Sequence, residues 1–185
     1  MRLAKLLRDP LVTGTWAVMG PIDGLLIRAT QRGVCEMKFI AAAEVRRLQK
    51  SQPPRDAIAW MPELLDALED YLFGKNVSFD DIPIDLSRQP PFRRKVQEAC
   101  RRIPYGTTLT YAQLAAKAGS PAAVRAVGSA MSHNPIPILI PCHRVCRSDG
   151  SLGGFSASGG TSLKQRLLEM EQEHTPARSR TMKRG

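Results

Sequence analysis

Pro135-Ile136-Pro137-Ile138-Leu139-Ile140-Pro141-Cys142-His143-Arg144-Val145 is the stretch on which the reading of this chain turns. Most of its side chains are apolar, so it belongs inside a core, and its prolines argue against a helix. Its polar end, Cys142-His143-Arg144, is then held rigidly at the edge of that core. A thiol held there is either inert filling or a nucleophile. A neighbouring base or positive charge favours the thiolate, and His143 and Arg144 supply both kinds of neighbour. Adjacent side chains on an extended strand face opposite ways. Communication between Cys142 and His143 therefore needs a relaying water or a turn at Pro141.

A catalytic histidine also needs an orienting partner. The spacing of Leu163, Leu167 and Leu168 predicts a helix over 161–171, with those leucines as its buried stripe. Glu171 falls on the same face and Glu169 points away. A carboxylate on a buried face needs a partner, and His143 is a candidate. Between cysteine and helix lies Gly150-Ser151-Leu152-Gly153-Gly154-Phe155-Ser156-Ala157-Ser158-Gly159-Gly160. Its glycines let backbone approach a ligand closely.

Upstream, a helix is expected over 91–102, with Phe92, Val96 and Ala99 on one side. Thr110 reads as the N-cap of a second helix over 111–118 that stops at Gly119. Ser120 reads as the cap, and Pro121 as the first residue, of a third helix running to about Met131. Two short helices joined by a glycine-containing turn form a helix-turn-helix pattern. The third helix is made of small residues and carries one charge, Arg125. Reading base edges in a major groove takes several Arg, Asn, Gln or Lys side chains, which this helix lacks. A smooth surface with one long cation suits a narrow groove and a side chain inserted into the stack.

The first half reads differently. Strand-like runs at 15–19, 25–29 and 34–40 suggest an antiparallel meander. Helices are expected over 41–50 and 62–73, and a further strand over 77–86. Arg88-Gln89-Pro90-Pro91 marks a boundary. The expected fold class is α+β: a small N-terminal sheet-and-helix domain (1–88), then a mostly helical C-terminal domain (89–172) with a helix-turn-helix and an active-site cysteine. A disordered basic tail is expected over 173–185.

Charge supports the same division. Of 27 basic and 17 acidic residues, residues 1–88 hold 12 of each, so the net +10 arises entirely from residues 89–185. Such asymmetry points to a polyanion, most simply nucleic acid. No apolar stretch reaches membrane-span length and no signal segment is apparent, so a cytoplasmic protein is expected, nuclear in a eukaryote. The four cysteines make no CxxC pair, and only three histidines are present, so neither a disulfide framework nor a metal site is expected.

Together these pieces resemble the O6-alkylguanine-DNA alkyltransferase (methylated-DNA–protein-cysteine methyltransferase) family. The signature is Pro141-Cys142-His143-Arg144-Val145. The likeness extends back through Tyr105-Gly106, Thr110-Tyr111, Arg125-Ala126-Val127-Gly128 and Asn134-Pro135, and forward into Leu167-Leu168 and Glu171. The resemblance implies that Cys142 accepts an alkyl group from O6-alkylguanine, and from O4-alkylthymine, irreversibly and once per molecule. His143 takes its proton through a water, Glu171 holds the imidazole, and Asn134 braces the turn. Tyr111 helps extrude the nucleotide and donates to the leaving base. Arg125 enters the duplex from the minor groove, with Ala123, Ala126, Gly128 and Arg144 also facing DNA. Val145, Phe155, Ser156 and Pro137 line the base pocket. No cofactor is implied, and the protein acts as a monomer on double-stranded DNA.

Three departures from the family pattern stand out. Phe155 replaces a usual tyrosine, the loop after it is about two residues longer, and Arg166 stands where tryptophan is common. Competing readings are a non-catalytic binder of alkylated DNA, which lacks the acceptor cysteine in such relatives, and a helix-turn-helix regulator.

Overall fold

The structure is a computed structural model and describes residues 11–21 and 24–175. Three strands, β1 (Gly14–Val18), β2 (Gly24–Thr30) and β3 (Gly33–Ile40), form the expected antiparallel meander in the order β1-β2-β3. Gly33 makes the tight connection: its φ is +147°, and a Cβ there would sit 2.5 Å from the backbone of Pro83. The central strand β2 is buried along its whole length, Arg28 included. Arg28 offsets part of that burial by donating from Nη1 to Glu36 on β3 at 2.7 Å, while its Nε and Nη2 have no hydrogen-bond partner among the described residues.

Helix α1 (Ala42–Gln49) packs on β1 and β2, and α2 (Met61–Leu72) packs against β1. Met61, Leu64, Leu65, Leu68, Tyr71 and Leu72 recur at helical spacing and are all buried. Truncating a leucine of this stripe to alanine costs about 2–5 kcal/mol. The strand expected over 77–86 does not form. Asp80 and Asp81 make a turn, and Pro83 lacks an N–H for a ladder. Only a parallel bridge between Val34 and Ile84 remains.

The C-terminal part runs α3 (Pro91–Arg101), β4 (Leu109–Thr110), α4 (Tyr111–Lys117), α5 (Val124–Ser132), a 3-10 turn (Cys142–Arg144), β5 (Val145–Cys146) and α6 (Gly160–Glu173). Helices α3, α4 and α5 pack on one another. Thr110 caps α4 in a full capping box: its side chain accepts from Gln113 N–H, and the Gln113 side chain accepts from Thr110 N–H. The start of α5 differs from expectation by three residues. Ser120 closes a backbone turn to Ala123 N–H at 2.9 Å. Pro121 occupies the second position of that turn, where its fixed φ fits, and no side chain caps the helix.

The buried residues of both parts form one contiguous apolar core. Arg101 adds polar ties, donating to the carbonyls of Phe79, Asp80 and Ile82 at 2.7, 3.0 and 2.7 Å. Glu173, expected in the tail, belongs to α6. His174 and Thr175 also pack, with the His174 ring lying over Gly74. Residues 176–185, the rest of the expected tail, lie outside the described residues. Among the described residues no helix is long and apolar enough to cross a membrane, and no cluster of three His, Cys, Asp or Glu side chains could hold a metal.

Candidate active site

The stretch 135–141 is buried but irregular, because its prolines leave few N–H groups for a ladder. Its tightest point is Ile138, the one described non-glycine residue with positive φ, at 74°. A β-branched residue in that region is strained and persists only where its surroundings enforce it. Asn134 is the chief constraint. Its Oδ1 accepts from Ile136 N–H at 3.0 Å, and its Nδ2 donates to the Ile140 carbonyl at 2.7 Å and to Cys142 Sγ at 3.0 Å. The N-terminal sheet contributes as well, since Met37 N–H on β3 donates to the Pro135 carbonyl at 2.8 Å.

The chain turns at Cys142–Arg144, but among the described residues no hydrogen bond joins the Cys142 and His143 side chains, so the water route stays open. Residues 142–144 form a 3-10 turn, with Arg144 N–H bonded to the Pro141 carbonyl at 2.9 Å. The thiol is buried, and burial pushes its pKa up; the Asn134 amide opposes that by favouring the thiolate. At neutral pH the resting group is therefore a thiol and needs a base. His143 is fully buried. Burial holds its pKa below the usual value and outweighs the nearby Glu171 carboxylate, so it is neutral and able to accept a proton.

His143 Nε2 lies 2.8 Å from Glu171 Oε1. A neutral imidazole beside a carboxylate keeps its proton on the facing nitrogen, so Nε2 carries the N–H and Nδ1 is the acceptor. Nδ1 has no hydrogen-bond partner among the described residues. Glu171 is buried at the end of α6, on the face shared with Leu167. Burial alone raises a carboxylate pKa, but hydrogen bonds from His143 and Arg144 and the Arg144 charge bring it down to about 2.

Arg144 corrects an expectation. Placed at the DNA surface from sequence, it is buried, donating to both Glu171 oxygens through Nε and Nη2 and to the Ile103 carbonyl through Nη1 at 2.6 Å. Its charge is spent inside, paired with the Glu171 carboxylate at 2.9 Å. The backbone of Val145 is already engaged: its N–H is bonded to the Cys142 carbonyl and its own carbonyl accepts from Lys164 at 2.6 Å.

Lys164 was not singled out from sequence. It lies one position after Leu163 on α6, fully buried, and donates also to the Leu152 carbonyl. A lysine beside an apolar stripe reads as a solvated flank, and only the loop folded over it reveals otherwise. Tyr71 was missed too: its hydroxyl donates to Glu171 Oε1 at 2.7 Å from the far end of α2. Arg166, by contrast, is exposed, so the packing of α6 does not depend on it.

A cleft of about 520 Å³ opens on Cys142. Asn134, Pro137, Phe155 and Ser156 line it on one side, and Glu36 and Lys38 of β3 on another. Tyr111, at the first turn of α4, is half-buried, with its hydroxyl against the loop at Gly153. A Cβ at Gly153 would lie 3.0 Å from that oxygen, and its φ of +69° also favours glycine. The short parallel pairing of β4 with β5 ties Tyr111's helix directly to the turn after Cys142. On α5, Arg125 and Ala126 are exposed, and Ala123 and Gly128 are partly so. Nothing among the described residues requires glycine at 128, since a Cβ there would meet no atom of theirs within 4 Å.

Fold and site together define a helix-turn-helix protein with a buried, braced thiol at the foot of a cleft and a helix poor in base-reading side chains. Residues 91–173 match the family described as "6-O-methylguanine DNA methyltransferase, DNA binding domain". The methylated-DNA–protein-cysteine methyltransferase of Methanothermobacter thermautotrophicus is 42% identical over 127 residues, 69% of this chain and 68% of the relative. That of Mycolicibacterium paratuberculosis is 45% identical over 134 residues, 72% of this chain and 76% of its own. Among solved structures, Mycobacterium tuberculosis OGT in complex with DNA superposes with a TM-score of 0.69 at 32% identity, covering 88% of this chain and 95% of that one. The chain belongs to the methylated-DNA–protein-cysteine methyltransferase family.

Proposed function

We propose that this protein repairs O6-alkylguanine in double-stranded DNA by taking the alkyl group onto Cys142, once per molecule. The carrying observation is Cys142 itself. It lines an open cleft of about 520 Å³, its sulfur accepts a hydrogen bond from Asn134, and it directly precedes a histidine held by a buried carboxylate.

The small-residue face of α5 lies in the minor groove, where Ala123, Ala126 and Gly128 allow close approach. Arg125 enters the stack and fills the place of the extruded nucleotide, aided by Tyr111. Extrusion is needed because the alkyl group is buried in the duplex. In the cleft the base rests against Pro137, Phe155 and Ser156. The Cys142 proton passes through a water to His143 Nδ1. The sulfur attacks the alkyl carbon, a C–S bond forms, and the C–O6 bond breaks with its electron pair going to the base. The Tyr111 hydroxyl donates a hydrogen bond to the departing guanine anion, which takes a proton from solvent water, and the proton on His143 returns to solvent. The thioether does not hydrolyse, so the protein is consumed. In this reading the protein acts as a monomer. Genomic DNA as substrate places it in the cytoplasm, or in the nucleus of a eukaryote.

The test is incubation with an O6-methylguanine duplex followed by intact-mass and peptide analysis. One methyl group should appear, on Cys142, and Cys142→Ala should bind DNA without gaining it. Binding without any mass gain in the wild type would replace this reading with a non-catalytic one.

A further inference from the structure

The proposed chemistry uses groups from the C-terminal half only, yet the carboxylate at its end is held from the other half. Glu171 Oε1 receives the Tyr71 hydroxyl at 2.7 Å, His143 Nε2 at 2.8 Å and Arg144 Nη2 at 2.9 Å. Oε2 receives Arg144 Nε at 3.0 Å and Gly106 N–H at 3.1 Å. The Tyr71 oxygen is also 3.3 Å from His143 Nε2. The hydroxyl thus sits at the junction of the carboxylate and the imidazole.

Tyr71 is fully buried, and its ring is fixed on two sides. Phe79 and Tyr105 meet it edge-on, with centroids at 5.8 and 6.1 Å. Tyr105 returns to the same region, donating from its hydroxyl to the Gly74 carbonyl at 2.8 Å and lying under the Arg144 guanidinium. Burial, and then the Glu171 charge, raise the Tyr71 pKa well above its usual value, so the hydroxyl remains a donor throughout the working range.

We propose that Tyr71 is a positioning residue of the alkyl-transfer site: from α2 of the N-terminal part it fixes the Glu171 carboxylate and, through it, the orientation and basicity of His143. This rests on the alkyl-transfer reading above. A carboxylate that shares its charge among five donor groups withdraws less strongly on the imidazole proton than a free one. The ionisable groups facing His143 are Glu171, Tyr71, Arg144 and Lys164. Of these, Tyr71 alone can be reduced to a non-bonding isostere without changing a charge. The N-terminal part then does more than support the fold.

The test uses the full chain with Tyr71→Phe, Glu171→Gln and the double variant. Single-turnover transfer from an O6-methylguanine duplex is followed across pH, alongside DNA affinity and thermal unfolding. For Tyr71→Phe we expect unchanged DNA affinity and a transfer rate lower by about 10- to 100-fold, the range for a lost hydrogen bond to a charged group. The acid limb of the pH–rate profile should move to higher pH, because Glu171 then stabilises protonated His143 more strongly. In the Glu171→Gln background the added Tyr71→Phe change should have little further effect. A stability loss with rate and profile unmoved, or fully multiplicative effects in the double variant, would overturn the proposal.

Histidine 15N spectra provide an arm that needs no activity. Neutral His143 should carry its proton on Nε2 in the wild type, and its pKa should rise in Tyr71→Phe. A proton on Nδ1 in the wild type overturns the arrangement whether or not the variant folds. Absence of methyl transfer in the wild type, with these spectral results intact, would instead remove the functional reading.

Discussion

The Asn134 amide donates to Cys142 Sγ at 3.0 Å while the same nitrogen holds the Ile140 carbonyl at 2.7 Å. One side chain therefore both shapes the strained turn and favours the thiolate at its end. Burial works against that thiolate. Removing the amide should push the Cys142 pKa further up and slow transfer at neutral pH, by about 10- to 100-fold. Asn134→Ala is the first variant, and Asn134→Asp should be slower still, because it sets a negative charge against the sulfur. Thiol alkylation by iodoacetamide across pH reads the shift, and an unmoved titration would count against a direct role.

Acid stability should follow from Glu171 and His143. Both fold with lowered pKa values, so the native state binds fewer protons than the unfolded chain, and stability falls as pH falls. The His143 contribution is present above its unfolded value of 6.5 and is lost as pH drops through its lower folded value. The Glu171 contribution is present above 4.5 and is lost between there and about 2. Thermal unfolding from pH 8 to pH 3 should show this decline. Glu171→Gln should be less stable at pH 7 and lose less below pH 4.5. Parallel curves for the two proteins would exclude Glu171 as a source of the acid limb.

Lys164 should matter for both stability and rate. It satisfies the carbonyls of Val145 and Leu152 from inside the core, and its charge favours the Cys142 thiolate. Lys164→Met keeps the volume but leaves the buried Val145 carbonyl unpaired, at about 1–3 kcal/mol, and the part-buried Leu152 carbonyl at less. Urea denaturation should show a lower midpoint with little change in slope, and transfer should slow even where the protein is fully folded.

Arg125 should separate extrusion from chemistry. Its side chain is exposed on α5, away from the buried Cys142, His143 and Glu171. Arg125→Ala should slow repair of duplex DNA by about tenfold or more, on the view that it offsets the few kcal/mol of unstacking. Reaction with free O6-alkylguanine base should be nearly unaffected. Equal losses on both substrates would remove the intercalating role.

The sequence determined, by itself, whatever depends on neighbours along the chain. Helical spacing placed Glu171 on the leucine face of α6, the Thr110–Gln113 pair announced the cap of α4, and the prolines kept residues 135–141 out of a helix. It also placed a single arginine on a small-residue helix. A local rule went wrong at Ser120-Pro121, which reads as a cap and first helical residue: the chain makes a turn there, and the helix starts three residues later at Val124. Tertiary structure alone decided the rest. Tyr71 reaches Glu171 across 100 residues of chain, and Arg144 across 27. Residue type and spacing do not reveal whether a tyrosine or an arginine points inward. That depends on where the low-dielectric interior closes, because a buried carboxylate draws in every donor within reach when water is excluded.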